Sequence, residues 1–190
     1  NYYLSISRIV QDASFYDFQF NRSNFQMNID SKISKSLKVG VSMNGRIETR
    51  LSPTIGSSYS DDYWRMRWGL NQNRPTERPY ANDNPTYLNK TYNILTNEAY
   101  GRRDIAGTRD DIWRVFQGNW DAEWALPIKG LSLKALYSYY LANEQEDAEK
   151  NQVYFYTYDK TNNAYITSDA NSTGSASLGK RQRTIWENMY

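Results

Sequence analysis

Between Ser23 and Arg50, apolar and polar residues alternate strictly over two long runs that meet at Lys35-Ser36. Phe25, Met27, Ile29 and Ile33 fall on one side of the first run, and Asn24, Gln26, Asn28, Asp30 and Lys32 on the other. In the second run Leu37, Val39, Val41, Met43 and Ile47 oppose Lys38, Ser42, Asn44, Arg46 and Glu48. A period of two places successive side chains on opposite faces of a pleated strand, so the pattern predicts a hairpin with one oily face. Strands of globular proteins run about 5–6 residues, whereas a tilted strand needs about 9–11 to cross a bilayer. Both runs exceed that length.

A second hairpin follows the same rule. Phe116, Trp120, Ala122, Trp124 and Leu126 alternate with Gln117, Asn119, Asp121 and Glu123. After the turn Pro127-Ile128-Lys129-Gly130, Leu131, Leu133, Ala135, Tyr137 and Tyr139 alternate with Ser132, Lys134, Leu136, Ser138 and Tyr140. Leu136 and Tyr140 blur the polar face, which suits a face turned to a crowded lumen. Shorter alternations open and close the chain. The predicted strands are 2–9, 20–34, 37–50, 112–126, 131–141 and 184–190, consecutive and antiparallel.

The connections are of two kinds. Those at Lys35-Ser36 and 127–130 are turns, while the segments of about 52–111 and 143–180 are long. Consecutive antiparallel pairing puts the turns on one rim and the long loops on the other, the organisation of outer-membrane barrels with short periplasmic turns and longer extracellular loops. Loops beyond about 12–15 residues usually carry function or contain structure of their own. In the first, Asp61 to Trp68 is expected to form a short helix with an acidic cap, and Pro75, Pro79 and Pro85 predict a turn-rich path after it. In the second, 153–158 and 164–167 predict a small hairpin, and the small polar residues 171–177 predict a mobile stretch.

Composition agrees with an all-β chain, because 17 Tyr, 6 Trp and 6 Phe against 10 Gly and 5 Pro favour pleated surfaces. Mean hydropathy is −0.85, which does not count against a barrel wall, half of whose strand residues are polar. A net charge of +2 from 23 basic and 21 acidic residues excludes the strongly basic footprint of nucleic-acid binding. The chain begins directly in a strand-like run with no signal peptide, so its numbering is expected to start inside a longer protein.

With neither Cys nor His, disulfides, thiolate nucleophiles, imidazole-based triads and Cys- or His-ligated zinc are unavailable. No glycine-rich phosphate loop appears. Asp61-Asp62, Asp110-Asp111 and the run Glu144, Glu146, Asp147 and Glu149 are the candidate carboxylates for acid–base or calcium chemistry. They read better as solvated loop residues, as does Asn82-Asp83-Asn84. Glycosylation sequons at Asn89 and Asn171 are short, frequent patterns.

Several stretches resemble the barrel of SusC/RagA-type TonB-dependent transporters of Bacteroidetes outer membranes. They are 1–5, 20–30, 37–41, Asn84-Pro85, 128–134 and 184–188; their order and spacing carry the resemblance, which spans most of the chain. It implies a segment of a large transmembrane β-barrel of about twenty-two strands around a plug, in the bacterial outer membrane and in contact with its lipid. It further implies a nutrient importer for glycans or oligopeptides, working with a SusD-type surface lipoprotein and energised through the TonB complex. No enzymatic activity and no cofactor is implied. Neither a plug nor a TonB box is recognisable in these residues.

On this reading Val39, Val41, Met43, Leu133 and Ala135 face lipid, while Ser42, Asn44, Asp121, Glu123 and Lys134 face the lumen or plug. Trp124 at one end, and Tyr137 and Tyr139 toward the other, form interfacial belts. The candidate substrate contacts are Tyr59, Tyr63, Trp64, Trp68 and Tyr80, because a flat ring covers the apolar face of a sugar while neighbouring Arg and Asn donate hydrogen bonds. The same alternation also fits a secreted, soluble carbohydrate-binding β-sandwich, and two loop carboxylates would suit a glycosidase.

Overall fold

Every predicted run is a strand in the computed structural model, which describes residues 1–91, 93 and 97–190. Strands β1 (Tyr2–Asp12), β2 (Gln19–Lys32), β3 (Leu37–Pro53), β4 (Thr108–Ala125), β5 (Ser132–Lys150) and β8 (Ser177–Met189) form an open antiparallel sheet in that spatial order. The chain is all-β in class, with β1 and β8 as the sheet edges. Between β5 and β8 stands a separate two-stranded hairpin, β6 (Thr157–Asp159) and β7 (Ala164–Ile166). Among the described residues no helix is long and apolar enough to cross a membrane, which says nothing about crossing by strands.

The register keeps like with like. Tyr2, Ile29, Val41, Trp120 and Tyr137 stand side by side across five strands, and Ile6, Phe25, Gly45, Phe116, Leu141 and Trp186 across all six. On the opposite face Ser5, Gln26, Asn44, Gln117, Tyr140 and Glu187 form one row. The expected division of Val39, Val41, Met43, Leu133 and Ala135 from Ser42, Asn44, Asp121, Glu123 and Lys134 is therefore a division between two faces. Aromatic neighbours reinforce the apolar one, with the Trp120 and Tyr137 rings 5.5 Å apart. On the polar face Ser42 donates to the Asn28 side chain at 2.7 Å.

The tight connections share one rim. At 33–36 the Ser34 hydroxyl accepts from the Leu37 N–H at 3.1 Å, and at 126–131 the turn closes through Leu131 N–H to the Ile128 carbonyl with Gly130 at φ 83°. The opposite rim carries the β1–β2 connection, 13–18, and both long connections. These are shorter than expected: β4 begins at Thr108 rather than 112, β5 runs to Lys150 rather than 141, and β8 begins at Ser177 rather than 184. Tyr137 and Tyr139 consequently lie in the middle of β5 and not near its end.

What remains of the long connections folds into one unit. Ile55, Leu88, Tyr100 and Ala106 of the first and Val153 and Phe155 of the second share a buried core, with the Tyr100 and Phe155 rings edge-to-face at 5.7 Å. The Asn151 N–H donates to the Ala106 carbonyl, and Tyr156 and Leu88 join through their backbones. At Gly107 φ is 102° and a Cβ would fall 2.1 Å from the Glu149 carbonyl oxygen, so this entry into β4 requires glycine. The expected hairpin of the second connection is smaller than the pattern suggested, since Tyr154 bridges Ser172 and Tyr156 bridges Asn89 instead of continuing the pairing. The stretch expected to be mobile is bonded in place, with Thr173 N–H donating to the Val153 carbonyl and Val153 N–H to the Thr173 hydroxyl, both at 3.0 Å.

Candidate functional site

The polar face changes character toward the loop rim. Here Arg22, Glu48, Glu144 and Arg183 share one row, and Arg50, Asp111, Glu146 and Arg181 the next. Glu48 is held by Arg46 at 3.3 Å and Arg50 at 3.2 Å, while Arg181 reaches Glu144 and Glu146, each at 2.7 Å. One strand step further, Arg109 spans Glu146 and Asp62 and donates to the Gly56 carbonyl at 2.9 Å. Glu48, Asp111, Glu144 and Glu146 are all buried. The expectation that the acidic residues lie in solvated loops is corrected on this point: Asp110, Asp111, Glu144, Glu146, Asp147 and Glu149 are strand residues, and those on the polar face are buried because guanidinium groups from neighbouring strands pair with them.

Asp62 is fully buried, at 0% exposure, and ties the first connection to the wall. Its carboxylate accepts from Arg109 at 2.8 Å, the Ser52 hydroxyl at 2.9 Å and the Ile55 N–H at 3.0 Å. Burial pushes this carboxyl above the ordinary aspartate value, opposed first by the Arg109 guanidinium and then by the Gly56 N–H. Asp62 sits in the first turn of helix α1 (Tyr59–Gln72), which is longer than expected and capped by Ser58 rather than by an acidic residue. The Ser58 hydroxyl accepts from the Asp61 N–H at 3.2 Å. Asp61 itself takes the Ser57 N–H at 2.7 Å and Arg65 at 3.1 Å.

The helix distributes the expected contact aromatics over separate faces. Tyr59 lies 5.6 Å from the Arg50 guanidinium and edge-on to Phe18, and Tyr63 packs against Phe15 and Phe18 at 5.4 and 6.2 Å. Both rings are used to seat the helix on the β1–β2 connection. Trp64 and Trp68 are exposed on another side, Trp64 beneath Arg67. Tyr80, from beyond the helix, lines a cleft of about 750 Å³ together with Phe15, Tyr16, Met66, Leu70, Pro79 and Ala99. Of the five aromatics predicted from the sequence, Tyr80 alone borders this cleft.

Asp17, Glu98, Arg102 and Ser14 complete the cleft lining. Arg102 is forked on Asp104 at 2.8 and 3.1 Å, and Asp17 accepts from the Arg103 N–H at 2.9 Å. Glu98 makes no ion pair among the described residues. The cleft thus offers an apolar and aromatic floor with a charged edge, at a volume typical of small-molecule sites, about 300–1,000 Å³. Sequence reasoning missed Phe15, Tyr16 and Arg102, which come from connections with no periodic signal. It also passed over the surface cluster in which Tyr87 stacks on Tyr165 at 3.9 Å. Among the described residues no grouping of three or more Asp or Glu is placed to hold a metal ion. Neither a protein-family model nor a curated protein matches this chain.

Proposed function

We propose that this chain is the wall and extracellular-loop portion of an outer-membrane β-barrel importer of the TonB-dependent, SusC/RagA type, taking glycans or oligopeptides with a SusD-type lipoprotein. One observation carries the reading: the apolar face spans all six long strands and is uncovered. Ile6 is 75% exposed, Leu133 58% and Trp186 66%, and no second layer lies over them among the described residues. A sandwich covers such a face with a second sheet about 10 Å away; a membrane barrel leaves it to lipid. The polar face then lines the lumen, the loop rim faces outward, and further strands pair with the open edges of β1 and β8, because an unpaired edge in hydrocarbon costs several kcal/mol for each unsatisfied group.

In this arrangement the cleft at Tyr80 is the place where nutrient or lipoprotein meets the wall. Its aromatic floor suits the apolar face of a sugar or an apolar side chain, and Glu98 accepts hydrogen bonds from hydroxyl or amino groups. The test uses the full-length protein in its own outer membrane. Tyr80→Ala combined with Glu98→Gln is expected to reduce nutrient uptake or lipoprotein docking severalfold while the barrel remains inserted. Unchanged uptake and docking would remove the cleft from the mechanism, and release of the protein from membranes without detergent would remove the barrel.

A further inference from the structure

The outward face has an ordered charge profile along the strands. Above its last apolar row comes Arg8, Ser23, Ile47, Arg114, Asn143 and Thr184. This row contains two cations and no carboxylate. The following row, from Val10 to Gln182, is neutral, and carboxylates return only in the third with Asp12, Asp110 and Asp147. Arg114 is exposed, and its guanidinium has one described partner, the Asn143 side-chain oxygen at 3.3 Å. No ion pair engages it among the described residues, in contrast to the tightly paired arginines of the polar face.

Directly beside Arg114 the wall is notched. Gly45 lies between Phe25 and Phe116 in the last apolar row, and a Cβ there would meet nothing closer than the Phe25 ring at 3.8 Å. The resulting groove, about 620 Å³, has Ile6, Phe25, Phe116 and Leu141 as apolar walls and Arg114 at its polar end. It is thus open to a slender apolar chain whose anionic end sits on a guanidinium.

Resting on the barrel reading above, we infer that the Gly45 notch and Arg114 form a site for a membrane lipid whose phosphate headgroup is net anionic, with no cationic group to neutralise it. One acyl chain lies in the notch, and the phosphate pairs with Arg114, whose planar donors match phosphate oxygens. The charge complementarity is local: the cation stands at the edge of the apolar band, the depth at which a headgroup meets water, and the nearest outward carboxylates are two rows farther from it.

The experiment is native mass spectrometry of the full-length, detergent-extracted protein exposed to equal amounts of phosphatidylglycerol and phosphatidylcholine. The expected result is preferential retention of one phosphatidylglycerol. Arg114→Gln should lower that retention about fivefold, the factor corresponding to about 1 kcal/mol per cation near an anionic surface. Gly45→Leu, which fills the notch and keeps the charge, should lower it as well, and Lys160→Gln in the β6–β7 hairpin should not. Equal retention of the two lipids, or full retention by Arg114→Gln, overturns the lipid site while leaving an inserted barrel intact. A protein that needs no detergent overturns the barrel reading and this site with it.

Discussion

The two halves of the same sheet differ in what they bury: the turn half leaves its apolar face exposed, and the loop half buries charges. On the turn side the exposed residues include Leu4, Ile6, Leu133 and Trp186, and the polar face carries Ser42, Asn28 and Gln26 together with Asp121, Glu123 and Lys134. On the loop side the buried residues include Glu48, Arg109, Glu144 and Asp62, while the outward face is polar. Hydrophobic-inside sorting fails in both halves, for different reasons. A side chain's placement follows the medium it meets, and charges enter a protein interior only when oppositely charged or hydrogen-bonding partners meet them there. The turn half is held mainly by its backbone ladder, and the loop half adds an ionic lattice that also anchors α1.

The largest effect is expected where that lattice is cut. Arg109→Met leaves Asp62 without its counter-ion and Glu146 with Arg181 alone, at a cost of about 3–5 kcal/mol. Amide exchange across 54–72 in the full-length protein should rise accordingly. The double variant Asp62→Leu with Arg109→Met removes both charges and should recover more than half of the loss; if the double change is as damaging as the single one, the pair does not act as a unit.

Next comes the contrast between faces. On the proposed barrel reading Val41 faces lipid and Ser42, on the opposite face, the lumen, so Val41→Arg should cost about 2–4 kcal/mol of assembly, whereas Ser42→Arg should insert nearly normally. Comparable yields in the outer-membrane fraction would contradict the assignment of the faces. A smaller effect is expected at the helix start, where Ser58→Ala removes the cap and should cost about 1 kcal/mol, seen as faster proteolysis within 57–72 and unchanged barrel insertion.

The smallest concerns pH. The Ser57 N–H holds the Asp61 carboxyl below the ordinary aspartate value, with Arg65 adding to this against the opposing effect of burial. Since the folded pKa lies below the unfolded one, the stabilising contribution is complete above about pH 3.9 and is lost as pH falls through the folded value. Protection of 57–72 should therefore weaken in strong acid, and Asp61→Asn should flatten that dependence.

The sequence shows β2 and β3 plainly because one side of each is apolar and the other polar, which is the contrast a period of two needs. The loop-side ends of β4 and β5 lack it. At Asp110-Asp111 and from Asn143 to Lys150 both faces are largely polar, so the strands continue without a visible pattern. The acidic run looked solvated because its partners are remote: Arg181 lies 35 residues from Glu146, and Arg109 lies 37 residues from it on the other side. The helix, by contrast, held readable information. Tyr59 and Tyr63 are spaced for one helical face and Trp64 and Trp68 for another, so spacing alone separates them into two groups. Nothing local places Phe15, Tyr16 and Arg102 beside Tyr80, since the cleft exists only once the β1–β2 connection meets α1.

The ionic lattice also bears on how the sheet finds its alignment. Displacing β4 by one residue against β3 would turn Arg109 and Asp111 toward the side that carries Phe116 and Trp120, and would bring those rings inward. On a wall bearing only small neutral groups, such a misalignment would be a tolerable near-miss. In this sheet it would part Asp111 from Arg50 and carry Arg109 away from Asp62, leaving buried charges without partners. The ionic lattice therefore penalises a shifted alignment of β3 and β4.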